Sequence, residues 1–294
     1  VRINELDTCK KQFLIDSELA HMSKAKAGNV VHSVGDERMN AVLCRVPPSD
    51  GAMILSQGLG VRRVTPDGAR KMKARTIINW GCHEINKRDN QRVFNLPESI
   101  QASVDKRVAF ASMRDGGVRV PLFVTDNPQS LRVRKDTIVV ARLRPAASGG
   151  AGIVIVRPKQ EFPAAPLYVQ YIKKTEEYRV HVAFGQAIHV VQKRRRNGVD
   201  ASADHKLIRN HGDVWVFCEN DLACDADESR PALEEQAVKA ISAVGLHFGA
   251  VDIVREVDTK EYYVLETNSK PGIVSEATWN AYCNALKQRL GEEK

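Results

Sequence analysis

The chain has 294 residues, 43% hydrophobic and 27% charged, enough for two domains or for one with a large core. No apolar run approaches the roughly twenty residues that span a bilayer, and the first residues lack a secretory signal's basic-then-apolar order. A net charge of +8 favours an acidic partner but does not separate nucleotide from nucleic acid. In chain order, residues 7–27 read as a helix with Gly28 as its stop, and residues 30–35 and 40–46 as short strands. No chemistry attaches to them. Residues 51–60 (GAMILSQGLG) read as a strand running into a glycine loop, and residues 75–81 (RTIINWG) as a second strand, a βαβ-like alternation. Residues 95–124 read as helix, turn and strand, with Lys106 in a first helical turn, where a solvent-exposed side chain is the ordinary outcome.

Residues 136–158 (DTIVVARLRPAASGGAGIVIVRP) place a β-rich run on each side of Ser148, Gly149, Gly150, Ala151 and Gly152. Glycines let the backbone approach phosphates and aim N–H groups at them. A Walker loop or a Rossmann fingerprint needs strand, glycines and then helix. Here a second strand follows, so the alternatives are a flexible hairpin lid or a plain surface hairpin. Further on, EYRVHVAF and AIHVVQKR alternate around Gly185-Gln186. Pairing about that turn puts Arg179 opposite Gln192 and Glu177 opposite Arg194, all four on one face. The run Lys193 to Arg196 reads as a solvated strand end, since no zinc-finger, homeodomain, RRM or KH signature accompanies it. The segments 145–152 and 197–204 read as loops, and 232–244 as an amphipathic helix.

The last patterned stretch carries the most chemistry. GAVDIVRE and EYYVLETN alternate on either side of a polar run, Val257 to Glu261, and read as an antiparallel hairpin. A loop centred on Thr259 puts Asp252 opposite Glu266, and strand periodicity puts Asn268 on the same face. Two carboxylates forced together repel unless a cation or proton sits between them. An all-oxygen set of Asp, Glu and Asn suits Mg²⁺. The alternative is a solvated hairpin whose acids face water. The six cysteines show no CxxC or Cys/His spacing, which fits reduced thiols in a cytoplasm rather than a disulfide framework or zinc site.

GLHFGAVDIV…YVLETNSKPGI resembles the signature of the ATP-grasp superfamily, a GVD strand followed by a strand ending in E-x-N and a small-x-PG turn. The likeness covers residues 100 to 285 and is closest to the RimK-type branch, which adds glutamate to ribosomal protein. It implies that Asp252, Glu266 and Asn268 bind the Mg²⁺ (or Mn²⁺) that bridges the phosphates of ATP. Lys106, in a D-K pair, and Arg142, the nearest match to a phosphate-binding Lys (with Arg144 beside it), would contact those phosphates. Ser148, Gly149, Gly150 and Gly152 would form the lid, and Gln170, Tyr171 and Ile172 the adenine hinge. Glu177, an acid-x-Arg strand with Arg179, Arg194 on its partner, and the pair Arg209 and Asn210 would line the nucleotide and acyl-phosphate site. Lys270 departs from the pattern, standing where the RimK-type ligases have Ser, and would alter acceptor choice.

The implied fold is α+β: an ATP-grasp domain over residues 101–294, with antiparallel-sheet lobes at about 101–165 and 166–294, after a small α/β domain within 1–100. The implied activity is an ATP- and Mg²⁺-dependent carboxylate–amine (or thiol) ligase working through an acyl phosphate. Its partners would be a carboxylate substrate and an amine acceptor, a peptide or a modified nucleic acid. Compact relatives are expected in bacteriophage genomes, so the expected location is a cytoplasm, a host's if the source is a phage. A non-catalytic nucleotide-binding relative and a basic nucleic-acid-binding protein are the competing readings.

Overall fold

The computed structural model describes residues 40–147, 151–200, 202, 207–209, 212 and 214–292. The expected helix at 7–27, the strand at 30–35, and Ser148, Gly149, Gly150 and Asn210 lie outside the described residues. The first elements are β1 (Ala41–Arg45), α1 (Asp50–Leu59), β2 (Arg62–Val64), β3 (Thr76–Trp80) and β4 (Arg92–Phe94). The four strands pair in parallel in the order β2-β1-β3-β4. A parallel sheet must be covered on both faces, and alternation along β1 and β3 divides Leu43, Ile78 and Trp80 from Val42, Cys44 and Ile77.

The strand expected at residues 51–60 is α1 instead. Ser49 caps it by accepting from the Ala52 N–H at 3.3 Å, and Gly60, at φ 65°, ends it in a left-handed turn. Ala52, Leu55 and Leu59 are buried at helical spacing, a period that the glycines at both ends obscure.

Next come α2 (Pro97–Val104), α3 (Lys106–Asp115), β5 (Phe123–Val124), β6 (Val139–Arg142), β7 (Ile153–Val156) and β8 (Leu167–Gln170). The strands form an antiparallel sheet ordered β5-β8-β6-β7. The rest of the chain gives β9 (Lys174–Ala183), β10 (Gln186–Arg195), β11 (Trp215–Cys218), α4 (Ala223–Ala226), α5 (Arg230–Ala243), β12 (Phe248–Glu256), β13 (Tyr262–Asn268) and α6 (Glu276–Gly291). These strands make a second antiparallel sheet, β11-β10-β9-β12-β13.

Alternation along the second sheet assigns its two faces. Tyr178, Val180, Val182, Val251, Ile253 and Val264 pack with Phe110 and Met113 of α3 and Leu233, Ala237 and Ile241 of α5 in the largest apolar core. One end of the opposite face is apolar throughout, where Ala183 and Phe248 meet Tyr282, Cys283 and Leu286 of α6. That same cluster takes in Leu43, Ile78 and Phe94, so α6 wedges the parallel sheet against the second antiparallel sheet. The other end of this face carries charge and faces the first antiparallel sheet across a cleft.

Candidate active site

Three strands set the floor of the cleft by register. Asp252 on β12 is paired with Glu266 on β13 and with Arg179 on β9. Two pairs further along, on the same face, Val254 lies opposite Glu177. Two positions on from Glu266, Asn268 shares its face. The expected juxtaposition of Asp252, Glu266 and Asn268 is therefore present, but it depends on a bulge. From Arg255↔Tyr262 to Ile253↔Val264 the hairpin runs one register short, and the extra residue Leu265 brings Glu266 back opposite Asp252. Leu265 itself lines the cleft.

The neighbouring hairpin corrects one expectation. Its loop is Phe184-Gly185, both at positive φ, not Gly185-Gln186, and an extra residue lies between Ala187 and His189. The two shifts together put Arg179 opposite Val191 and Tyr178 opposite Gln192. Gln192 and Arg194 consequently sit on the far face. There Arg194 donates to Gln192 Oε1 at 2.8 Å and to the carbonyl of Asp221. Arg194 is not a cleft residue. Lys193 takes the place expected for it, donating to Glu177 Oε1 and, at 2.6 Å, to the carbonyl of Arg209. Only the β-bulge separates the two alternatives, and no residue type in the strand announces it.

The facing sheet supplies Val140, Arg142, Ile153 and Ile155, and Gln170, Tyr171 and Ile172 join the two sheets. These residues enclose a cleft of about 370 Å³ with Phe110, Val169 and Val254 as further apolar lining. Arg209 also lines it, with its guanidinium over the Trp215 ring at 4.6 Å. Of the lid residues, Gly152 is described: its φ is 74°, its carbonyl accepts from Leu143 N at 2.8 Å, and a Cβ there would meet the Arg144 side chain at 3.2 Å. Arg144 thus packs on the lid while Arg142 faces the cleft.

Lys106 is 4% exposed, not a solvated helix residue. Asp105 caps α3 by accepting from Arg107 N at 2.9 Å. Behind that cap the Lys106 ammonium pairs with Glu266 Oε1 at 3.2 Å and donates to the carbonyl of Ala147 at 3.1 Å. One cation therefore links Ala147, the residue before the glycine segment, to the acidic hairpin.

Each carboxylate in the cleft has its own basic partner. Burial would raise the Asp252 carboxyl, but Arg179, with bonds of 2.7 and 2.9 Å, holds it down to about 2. Burial likewise opposes ionisation of Glu177, and Lys174 at 2.8 Å together with Lys193 outweighs it, keeping the carboxyl below its usual range. Burial lowers the Lys174 ammonium, with Glu177 opposing, and burial lowers Arg142 against the pull of Glu266. Lys174 and Lys193 were not expected from the sequence. Arg142, Lys174, Arg179, Lys193 and Arg209, with Lys106 behind them, outnumber Glu177, Asp252 and Glu266, leaving the cleft a formal charge of +3.

Such a surplus suits a polyphosphate. The hairpin also fits a divalent cation. Its donors are all oxygen, and the Asn268 amide has a buried Nδ2 with no partner among the described residues. An amide can turn its oxygen instead to a metal ion there. Among the described residues no three or more of His, Cys, Asp and Glu converge as a metal site. The remaining ligands would be Asn268, water and phosphate.

No family model and no curated protein matches the chain. Solved structures do. The ATP-grasp ligase PsnB, complexed with minimal precursor, Mg and ADP, aligns over 88% of this chain and 100% of its own at 15% identity and TM-score 0.59. D-alanine–D-alanine ligase from Bacillus anthracis aligns over 86% and 99% at 13% identity and TM-score 0.55. N5-carboxyaminoimidazole synthetase from Staphylococcus aureus aligns over 84% and 76% at 12% identity and TM-score 0.56. The parallel sheet, the two antiparallel sheets and the cleft between them therefore make up an ATP-grasp fold.

Proposed function

We propose that this protein is an ATP-dependent carboxylate–amine ligase that uses Mg²⁺. The observation that carries the reading is the pairing of Asp252 with Glu266, beside Asn268, on the floor of a basic cleft between two sheets. The similar structures named above add support, since they include ligases and one was solved with Mg and ADP. Asp252, Glu266 and Asn268 would hold Mg²⁺, which supplies charge neutralisation at the phosphates when bound. Lys106 and Arg142 would face those phosphates, while Gln170, Tyr171 and Ile172 would offer backbone groups to the adenine. The apolar walls Val140, Ile155 and Leu265 would exclude water from the base. Arg179 and Arg209 would orient the transferred phosphoryl group, so the chain's part is positioning and electrostatics, with no covalent nucleophile.

In this scheme a substrate carboxylate oxygen takes the γ-phosphoryl group and ADP departs. An amine then attacks the acyl carbon, phosphate leaves, and the amine loses a proton to solvent. A peptide acceptor, in the manner of the RimK type, is the reading that the sequence resemblance and the precursor-bound PsnB support. The test is Glu266→Ala with ADP release measured across amino-acid and peptide substrates. Turnover should fall by at least a hundredfold, about 3 kcal/mol of transition-state stabilisation, with the circular dichroism spectrum of the folded parent retained and a lower unfolding midpoint, since buried Lys106 loses its counter-charge. ADP release at the parent rate would move the metal elsewhere.

A further inference from the structure

In open sheets with parallel strands, ligands gather at the carboxyl ends of the strands. At that edge of the parallel sheet stand two cations that the nucleotide cleft does not use. Arg45 closes β1, in register with Trp80 on β3. Its Nε is buried without a hydrogen-bond partner, and no acid among the described residues pairs with it. A half-buried guanidinium with an unmet Nε–H is a place where an anion or ordered water belongs.

Lys270 reaches the same edge from the metal hairpin. Gly81, next after β3, has φ 81°, and a Cβ there would lie 2.8 Å from both Cβ and Cδ of Lys270. The lysine stem therefore lies on the Gly81 backbone, which limits where its ammonium can go. Lys270 also has no acidic partner among the described residues. After the hydrogen bond from Cys44, the charges of Lys270 and Arg45 both help to hold the Cys82 thiol below its usual range, which places both cations close to the residue after Gly81. Asn268, on the cleft wall, precedes Lys270 by two residues, whereas the hinge Gln170 to Ile172 closes the other side of the cleft. The pair therefore stands beyond the metal-binding end, where a second substrate would approach the phosphates.

We propose that Arg45 and Lys270 form an anion subsite for a substrate carboxylate that is not itself activated. The protein then takes an acidic substrate, either a free dicarboxylic amino acid or an acidic peptide segment. This rests on the ligase reading above. A monocarboxylate or an amide would leave the buried Nε of half-buried Arg45 without an acceptor and the exposed Lys270 without a counter-charge, and an unmet buried donor discriminates against the wrong ligand.

Calorimetric titrations of the protein loaded with Mg²⁺ and a non-hydrolysable ATP analogue test it. Ligands are glutamate, aspartate, glutamine, a C-terminally amidated acidic peptide and an oligothymidylate. Glutamate, aspartate or the acidic peptide should bind, and glutamine should bind at least about tenfold more weakly. Arg45→Gln and Lys270→Gln should each weaken the acidic ligand by about tenfold while leaving the affinity for the ATP analogue within twofold. Whichever acidic ligand responds identifies the source of the carboxylate. Loss of selectivity for acid over amide, insensitivity to both substitutions, or preference for the oligonucleotide overturns the subsite. Failure of the parent protein to bind the ATP analogue overturns the ligase reading instead.

Discussion

Lys193 ties Glu177 to the segment that carries Arg209, while its neighbour Arg194 is spent on the opposite face of the same strand. The two therefore have opposite consequences. Lys193→Met should weaken Mg²⁺-ATP binding by at least tenfold and lower stability by about 3 kcal/mol, because a buried carboxylate loses one of two cations. Arg194→Ala should leave nucleotide affinity within twofold. Calorimetry and urea unfolding on both variants decide between this register and the regular one.

The Arg179–Asp252 pair sets an acid limit. The folded-state carboxyl titrates at about 2, below its unfolded value of 3.8. Its contribution is therefore complete above pH 4 and disappears as pH falls through 2. Between pH 5 and pH 2.5 the loss is about 1.5 kcal/mol. Asp252→Asn should lose that much less unfolding free energy across the interval, and an unchanged slope would mean the pair is not formed in solution.

At the scale of elements, both site hairpins depend on one extra residue. Ile188 is extra in β10, and the pairs on its far side, His189↔His181 through Gln192↔Tyr178, keep their register without it. Deleting Ile188 should therefore preserve nucleotide affinity within threefold and cost about 1 kcal/mol of packing against the α6 cluster. A tenfold loss of affinity would show that the bulge itself shapes the cleft. These bulges also mark how far the sequence can be read. The alternation of GAVDIVRE and YYVLETN revealed both strands, and a loop centred on Thr259 led to the right Asp252–Glu266 pair, although the turn begins one register away. In the other hairpin the same arithmetic chose Arg194 over Lys193, because a bulge changes the face of every later side chain and leaves composition untouched. The α1 segment was misread for a related reason: its capping residues Ser49 and Gly60 mark a helix, but its central apolar run suits either period.

At the scale of the whole molecule, the parallel sheet is not an appendage. Asn95, at φ 63°, accepts from the N–H groups of His247 at 2.8 Å and Phe248 at 3.1 Å and donates to the Phe248 carbonyl at 2.9 Å. With the Trp80–Phe248 stack at 5.6 Å, it joins the early strands to β12. Asn95→Ala should cost about 3 kcal/mol, through three hydrogen bonds, two of them fully buried, and a left-handed backbone. Urea unfolding followed by tryptophan fluorescence and circular dichroism should show one coincident transition. Separate transitions would show that residues 40–95 fold alone. None of this long-range bonding is visible in the sequence, since Asn95 and His247 are 152 residues apart and Asn95 belongs to no motif.

Lys106 on Glu266 and Arg179 on Asp252 mean that the two carboxylates of the hairpin are already paired before any ligand arrives, although the cleft as a whole keeps its basic surplus. Occupancy is therefore an exchange of ions, not the filling of a vacancy. If the cleft works as proposed, a metal ion alone would have to dislodge two basic groups and leave them without counter-charges, and a bare triphosphate would draw those groups away from carboxylates that then face one another. On the proposed function, the two arriving together would swap partners, the carboxylates passing to the metal and the basic groups to the phosphates. Metal and nucleotide should on this account strengthen each other's binding reciprocally, and Ala147, held to Lys106 through its carbonyl, would register the trade.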